Sequence, residues 1–249
     1  GSTGSGKSVL ESAIIACLAM TKNEKEVQFY IVDPKRVDLT LFEELPNTKK
    51  VIETIEDWYK TINYLYNEVQ NRSNFLKGAK CRNIREYNES HKNKMAYKIL
   101  IIDELADLVE KDKYAREEKK QENIAMELPA KTGLEPTVIE ALKKLIQISR
   151  AAGIHIICCT QRTSVDVVSG TVKANFPTRI ALRLPQSNDS RTILDENGAE
   201  NLLGKGDMLV KMADKDSLQR FHAPFVRMED INFILEQKEM IKESLGLIG

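Results

Sequence analysis

The chain holds no stretch of about 18 consecutive apolar residues, so none of it reads as a membrane-spanning helix. It has no excess of either charge. Its 37 Lys and Arg residues balance 37 Asp and Glu residues, so any attraction to a polyanion must come from a local patch. Cysteine and histidine are scarce: Cys17, Cys81, Cys158 and Cys159 show no metal-ligand spacing, and His91, His155 and His222 are scattered. The histidines therefore read as structural, with no Cys, Asp or Glu cluster of ligand spacing around them. Cys158 and Cys159 lie in an apolar run and read as core residues of a reduced protein. No internal repeat or low-complexity tract occurs. What remains is 249 residues, 42% apolar and 30% charged, enough for one large α/β domain or two small ones.

The order of elements points to the first of these. A helix is expected from Lys7 to about Met20, and Val27–Asp33 reads as a buried strand closed by Asp33-Pro34. A long amphipathic helix follows over 54–76 and a short one over 83–91. Lys98–Glu104 is an apolar strand ending in two carboxylates. Residues 137–152 return to helical spacing before Gly153 stops them. Further strands are expected at 154–160, 179–184, 207–211 and 218–222, and a closing helix at 230–245. Such alternation implies a mostly parallel sheet with helices on both faces. Residues 110–136, crowded with Lys, Glu and Gln before Pro129, Gly133 and Pro136, read as a charged, flexible insertion with one helical piece.

The chemistry gathers at the first eight residues, Gly1-Ser2-Thr3-Gly4-Ser5-Gly6-Lys7-Ser8, which fit G-x-x-x-x-G-K-[ST]. Glycines there let backbone N–H groups turn around a phosphate, and the helix that follows directs its positive end at the anion. Lys7 is placed to reach β- and γ-phosphate oxygens, and the Ser8 hydroxyl to ligate Mg²⁺. The strand that ordinarily precedes such a loop is absent, so the sequence reads as N-terminally truncated. Asp103 and Glu104 end a core strand, where ligands bind in open α/β sheets. Asp103 is assigned to the metal and Glu104 to orienting or deprotonating the attacking water. Gln161, in Thr160-Gln161-Arg162 at the end of another core strand, is expected near the γ-phosphate or that water.

These blocks, with Asp33-Pro34-Lys35-Arg36, Leu100–Leu108, Ser149–His155, Lys173–Arg179, Asp189–Asp195, Leu202–Leu209 and His222–Val226, resemble the motor domain of the FtsK/SpoIIIE family of double-stranded DNA translocases. The resemblance spans nearly the whole chain, in order. It implies a RecA-like P-loop NTPase of the ASCE type that binds ATP and Mg²⁺. It also implies a ring of six copies around duplex DNA, at the cytoplasmic face of a bacterial membrane that it touches only through regions outside this chain. By the same resemblance Arg179 acts on a neighbouring subunit's phosphates, and Arg191, Lys215 and Arg220 are candidates for the DNA backbone. Residues 212–217 depart from the family pattern, which bears on Lys215. A related branch that powers protein export is the rival reading. A nucleotide-binding assembly module is a third, opposed by the intact Lys7, Ser8, Asp103 and Glu104.

Overall fold

The computed structural model describes residues 1–36, 39–125, 136–164 and 167–246. Four strands form a parallel sheet: β1 (Val27–Val32), β2 (Thr48–Ile52), β3 (Tyr97–Ile102) and β4 (Ile154–Cys158), in the order β2-β1-β3-β4. Side-chain alternation along the inner strands builds two cores. Phe29, Ile31, Ile99 and Ile101 face one side, against Ile15, Ala16 and Ala19 of α1 (Lys7–Thr21) and Ile231 and Ile234 of α8 (Met228–Gly246). Tyr30, Val32, Leu100 and Ile102 face the other, against α2 (Ile55–Gly78), α4 (Leu105–Ala125) and α5 (Val138–Ser149). Residues buried on both sides of the sheet explain why these strands read as continuous apolar runs.

Local sequence sets the helix starts. Thr54 accepts the Asp57 N–H at the head of α2, whose Trp58, Ile62, Leu65, Val69 and Leu76 are buried at helical spacing. Thr137 and Glu140 form a reciprocal capping box on α5. The short helix α3 (Ile84–Ser90) is capped by Asn83.

The expectation of one mostly parallel sheet holds for the first four strands only. The remaining three, β5 (Arg179–Leu182), β6 (Asp207–Lys211) and β7 (Gln219–His222), form a separate antiparallel sheet in the order β5-β6-β7. The connection from β6 to β7 is too short for the crossover that parallel pairing requires. Helix α7 (Ser187–Leu194) packs on β5 of this sheet and α6 (Gly170–Asn175) on α5, and neither is apparent from periodicity in so short a segment. The charged stretch after Glu110 includes the one helical piece expected of it. Its first part continues α4 as helix to Ala125, while 126–135 lie outside the described residues. Its return is fastened: Tyr59 and Arg116 both donate to the Pro136 carbonyl, and Val138 N–H donates to the buried Asp112. All four cysteines are free, and Cys158 and Cys159 are half-buried.

Candidate active site

The glycine-rich loop bridges the two sheets. Towards the parallel sheet, the Gly1 amino group donates to the Thr160 carbonyl at 3.3 Å, and Thr3 Oγ1 donates to Gln161 Oε1 at 2.8 Å. Towards the antiparallel sheet, Ser2 N–H donates to the Arg183 carbonyl at 2.9 Å, and the Ser5 carbonyl accepts Gly206 N–H at 2.8 Å. Gly6 sits at φ 104°, and a Cβ there would stand 2.7 Å from the Gly206 nitrogen. Glycine is thus required at that position by conformation and by space.

The loop fits an anionic ligand on its own geometry. Gly6 caps α1 without any side-chain hydrogen bond, and no acidic residue lies in the first turn. No side-chain cap therefore closes the helix start, and its positive end faces the loop. The Ser5 hydroxyl is buried and without a hydrogen-bond partner, a donor that a phosphate oxygen would satisfy.

Backbone bonds at the carboxyl ends of the parallel strands hold the acidic pair. Asp103 N–H donates to the Val32 carbonyl, Cys159 N–H to Ile102, and Leu105 N–H to Cys159. Asp103 and Glu104 thus stand just past β3 rather than within it, both at most 5% exposed. Lys7 reaches across to the first of them: its Nζ is 2.6 Å from Asp103 Oδ1, and it also lies 3.5 Å from Glu11 Oε1 on its own helix. Burial pulls the Lys7 ammonium pKa down, but Glu11 and Asp103 outweigh it and hold the group above its ordinary value. Glu11 is 2% exposed, and burial pushes its carboxyl up to about 8 against the pull of Lys7. Nothing in the sequence pattern singles out Glu11, since α1 reads as an ordinary core helix.

Glu104 is gripped from the segment just past β4. Thr160 Oγ1 donates to Glu104 Oε1 at 2.5 Å, and Gln161 N–H donates to Oε2 at 2.7 Å. It is Thr160, not singled out from the sequence, whose side chain meets Glu104. The Gln161 side chain goes instead to Thr3, linking β4 to the loop. Lys7, Asp103, Glu104 and Gln161 are therefore brought together, with Gly1 to Ser8 beside them.

A metal would have to be shared with a ligand. Among the described residues no group of three His, Cys, Asp or Glu side chains is arranged to hold one. One hydroxyl and one carboxylate, Ser8 and Asp103, suit a hard cation that keeps water and phosphate oxygens as its other ligands.

The remaining sequence-predicted residues lie around the antiparallel sheet. Arg179, on β5, donates to Asp195 at 2.5 Å and to the Lys173 carbonyl at 3.2 Å, with its side chain 13% exposed. Lys173 and Lys211 converge on the same Asp195. Arg191, on α7, and Lys215, between β6 and β7, are exposed. Arg220, on β7, is held by both oxygens of Asp207, at 2.9 and 2.7 Å.

Comparison with known proteins agrees with this architecture. The FtsK/SpoIIIE family profile matches residues 1–165. The DNA translocase FtsK of Leptospira interrogans (serovar copenhageni) is 38% identical over 246 residues, covering 95% of this chain and 24% of that protein. The DNA translocase FtsK of Streptococcus pneumoniae is 38% identical over 254 residues, covering 96% of this chain and 30% of that one. The chain thus spans about a quarter to just under a third of the length of these relatives. Among solved structures, the pCW3 conjugation coupling protein TcpA with ATPγS superposes with a TM-score of 0.75 at 27% identity, over 96% of this chain and 63% of that one. The Type VII secretion ATPase EccC of Thermomonospora curvata gives a TM-score of 0.73 at 22% identity, over 96% and 27%, which speaks to the fold alone.

Proposed function

The chain belongs to the FtsK/SpoIIIE family, and from that membership and the site geometry we propose that it is the ATP-hydrolysing motor of a double-stranded DNA translocase. Its fold is that of the RecA-like P-loop ATPases. The observation that carries the proposal is the meeting of Lys7, Asp103 and Glu104 beside an uncapped glycine-rich helix start.

In this reading the loop N–H groups and Lys7 take the β- and γ-phosphates of ATP. Ser8 and Asp103 would hold Mg²⁺, which when bound neutralises charge on those phosphates. Glu104, fixed by Thr160 and the Gln161 N–H, orients the attacking water and receives its proton. The Gln161 side chain, bonded to Thr3 of the loop, links phosphate occupancy to the segment that grips Glu104.

The translocase relatives support DNA as the partner, and the duplex form belongs to the proposal. Arg191, Lys215 and Arg220 are the proposed contacts to its phosphates, which would make binding sequence-independent and salt-sensitive. A six-membered ring, with Arg179 serving the neighbouring site, and a place at the cytoplasmic face of a bacterial membrane belong to the same proposal. Among the described residues no helix is long and apolar enough to cross a membrane. The likeness to secretion ATPases at 22% identity gives the export reading no support beyond the fold.

The test is ATP hydrolysis with and without duplex DNA at several salt concentrations. Stimulation by duplex DNA of unrelated sequences is expected. Replacing Arg191 or Lys215 with Ala should each reduce the log–log salt slope of DNA binding by about one. Hydrolysis indifferent to DNA would overturn the proposal.

A further inference from the structure

The turn Leu203–Asp207 is wedged between the glycine-rich loop and the last strand. Its three central residues, Gly204, Lys205 and Gly206, all have positive φ, at 85°, 51° and 96°. So tight a reversal brings Gly206 N–H onto the Ser5 carbonyl at 2.8 Å, with Gly6 packed directly against it. On its far side the Gly206 carbonyl accepts Ala223 N–H at 2.8 Å, one residue past β7. The next residue, Asp207, has a buried carboxylate, 6% exposed, that makes two kinds of contact. Its Oδ2 accepts Leu203 N–H at 2.8 Å, closing the turn. Both oxygens also grip Arg220, through Nε at 2.9 Å and Nη2 at 2.7 Å. The Arg220 side chain is nevertheless 56% exposed, so its guanidinium is fixed at one edge and open to solvent elsewhere. A bidentate hold of this kind defines orientation as well as distance. A continuous path of bonds therefore runs from Ser5 through Gly206 and Asp207 to Arg220.

We propose that Asp207 is a positioning residue that couples the nucleotide site to the DNA-facing surface. By fixing the turn against Ser5 and Arg220 against the turn, it makes the loop's response to phosphate and Arg220's engagement of a DNA phosphate parts of one mechanical unit. This rests on the reading of the protein as a DNA-stimulated ATPase. Coupling between two ligands is reciprocal, so DNA must tighten nucleotide binding by the factor by which nucleotide tightens DNA binding.

The experiment is a titration of ATPγS into the intact protein, with and without a saturating duplex. For the unaltered protein DNA should lower the ATPγS Kd about 5-fold or more, within the usual range of coupled sites. In Asp207→Asn the carboxylate charge and its two-oxygen grip on Arg220 are lost. The expected result is a ratio near one, with Kd for ATPγS alone and for DNA alone each within about 2-fold of the original. A role confined to holding the fold would weaken both affinities and leave their ratio intact. Arg220→Gln provides a second arm that leaves Asp207 free to close its turn. It should weaken DNA binding and also bring the ratio to one, and the double variant should uncouple no further than Asp207→Asn. Undiminished coupling in a folded Asp207→Asn protein overturns the inference and leaves the DNA-motor reading standing. An unaltered protein that binds ATPγS but not DNA overturns both.

Discussion

Lys7 Nζ lies 2.6 Å from the Asp103 carboxylate and 2.7 Å from the carbonyl oxygen of the same residue. The phosphate-reaching lysine and the acid assigned to the metal thus neutralise each other, each side chain only 8% exposed. For ATP to be held as proposed, Lys7 must exchange Asp103 for phosphate oxygens. Lys7→Ala removes the partner of a buried carboxylate, which typically costs about 3–5 kcal/mol. It should therefore lose both nucleotide binding and stability. Lys7→Ala with Asp103→Asn should regain much of the stability and none of the binding. Urea unfolding beside an ATPγS titration reads both, and a fully stable Lys7→Ala protein would show that the pair is not the buried ion pair described.

Glu104 offers a cleaner separation of binding from chemistry. Its oxygens are engaged by Thr160 and Gln161 rather than by Lys7. Glu104→Gln keeps the size and most of the hydrogen bonding but cannot accept a proton from water. ATP affinity should change little while turnover falls by roughly 10²–10⁴, the usual contribution of a general base. Thr160→Val, which removes the hydroxyl that fixes Glu104, should lower kcat less and leave KM nearly unchanged. Steady-state kinetics decide this. Hydrolysis by Glu104→Gln at the original rate would falsify the assignment.

The loop, the acid pair and the parallel sheet were legible because each is a local pattern: fixed glycine spacing, or apolar runs closed by polar residues. Glu11 was not, since its meaning comes from Lys7 one turn away and Asp103 on another element. Nor was Thr160 as the partner of Glu104, because only the alignment of β3 beside β4 brings those two together. The strand β2 was missed for a different reason. Thr48-Lys49-Lys50-Val51-Ile52 lies at a sheet edge and lacks the apolar alternation of the inner strands. The antiparallel sheet shows the limit most plainly: strands 179–182, 207–211 and 219–222 were visible as strands, but their membership of a second sheet is a property of connections and packing.

Asp207 also gives the acid limb of stability a readable signature. Hydrogen bonds from Arg220, then the Leu203 N–H, hold its carboxyl down to about 2, below the ordinary 3.8. A depressed carboxylate pKa means the unfolded chain binds the proton more tightly. The contribution is therefore fully present above about 3.8 and is lost as pH falls towards 2. The stability gap between the unaltered protein and Asp207→Asn should be constant near neutrality and narrow as pH falls through that window. Urea midpoints between pH 6 and about 2.5 test it. A gap that stays level throughout would mean that the ion pair adds nothing in solution.

Arg179 is the residue whose proposed role and observed position differ most. It is expected to act on a neighbour's phosphates, yet its guanidinium is tied to Asp195 and the Lys173 carbonyl of its own chain. Lys173 and Lys211 crowd the same carboxylate. Three cations sharing Asp195 leave it well supplied with positive charge if one of them departs, so withdrawal of Arg179 towards a phosphate leaves Asp195 neutralised. Arg179→Ala subunits should therefore fold and bind ATP but not hydrolyse it. The trans assignment is tested by mixing them with Lys7→Ala subunits, inactive for a different reason. Some boundaries in mixed assemblies then pair an intact loop from one subunit with an intact arginine from the other. Activity should partly return, with a dependence on mixing ratio that peaks between the two pure populations. An arginine that serves only its own loop cannot give such recovery, because no single subunit in the mixture carries both residues.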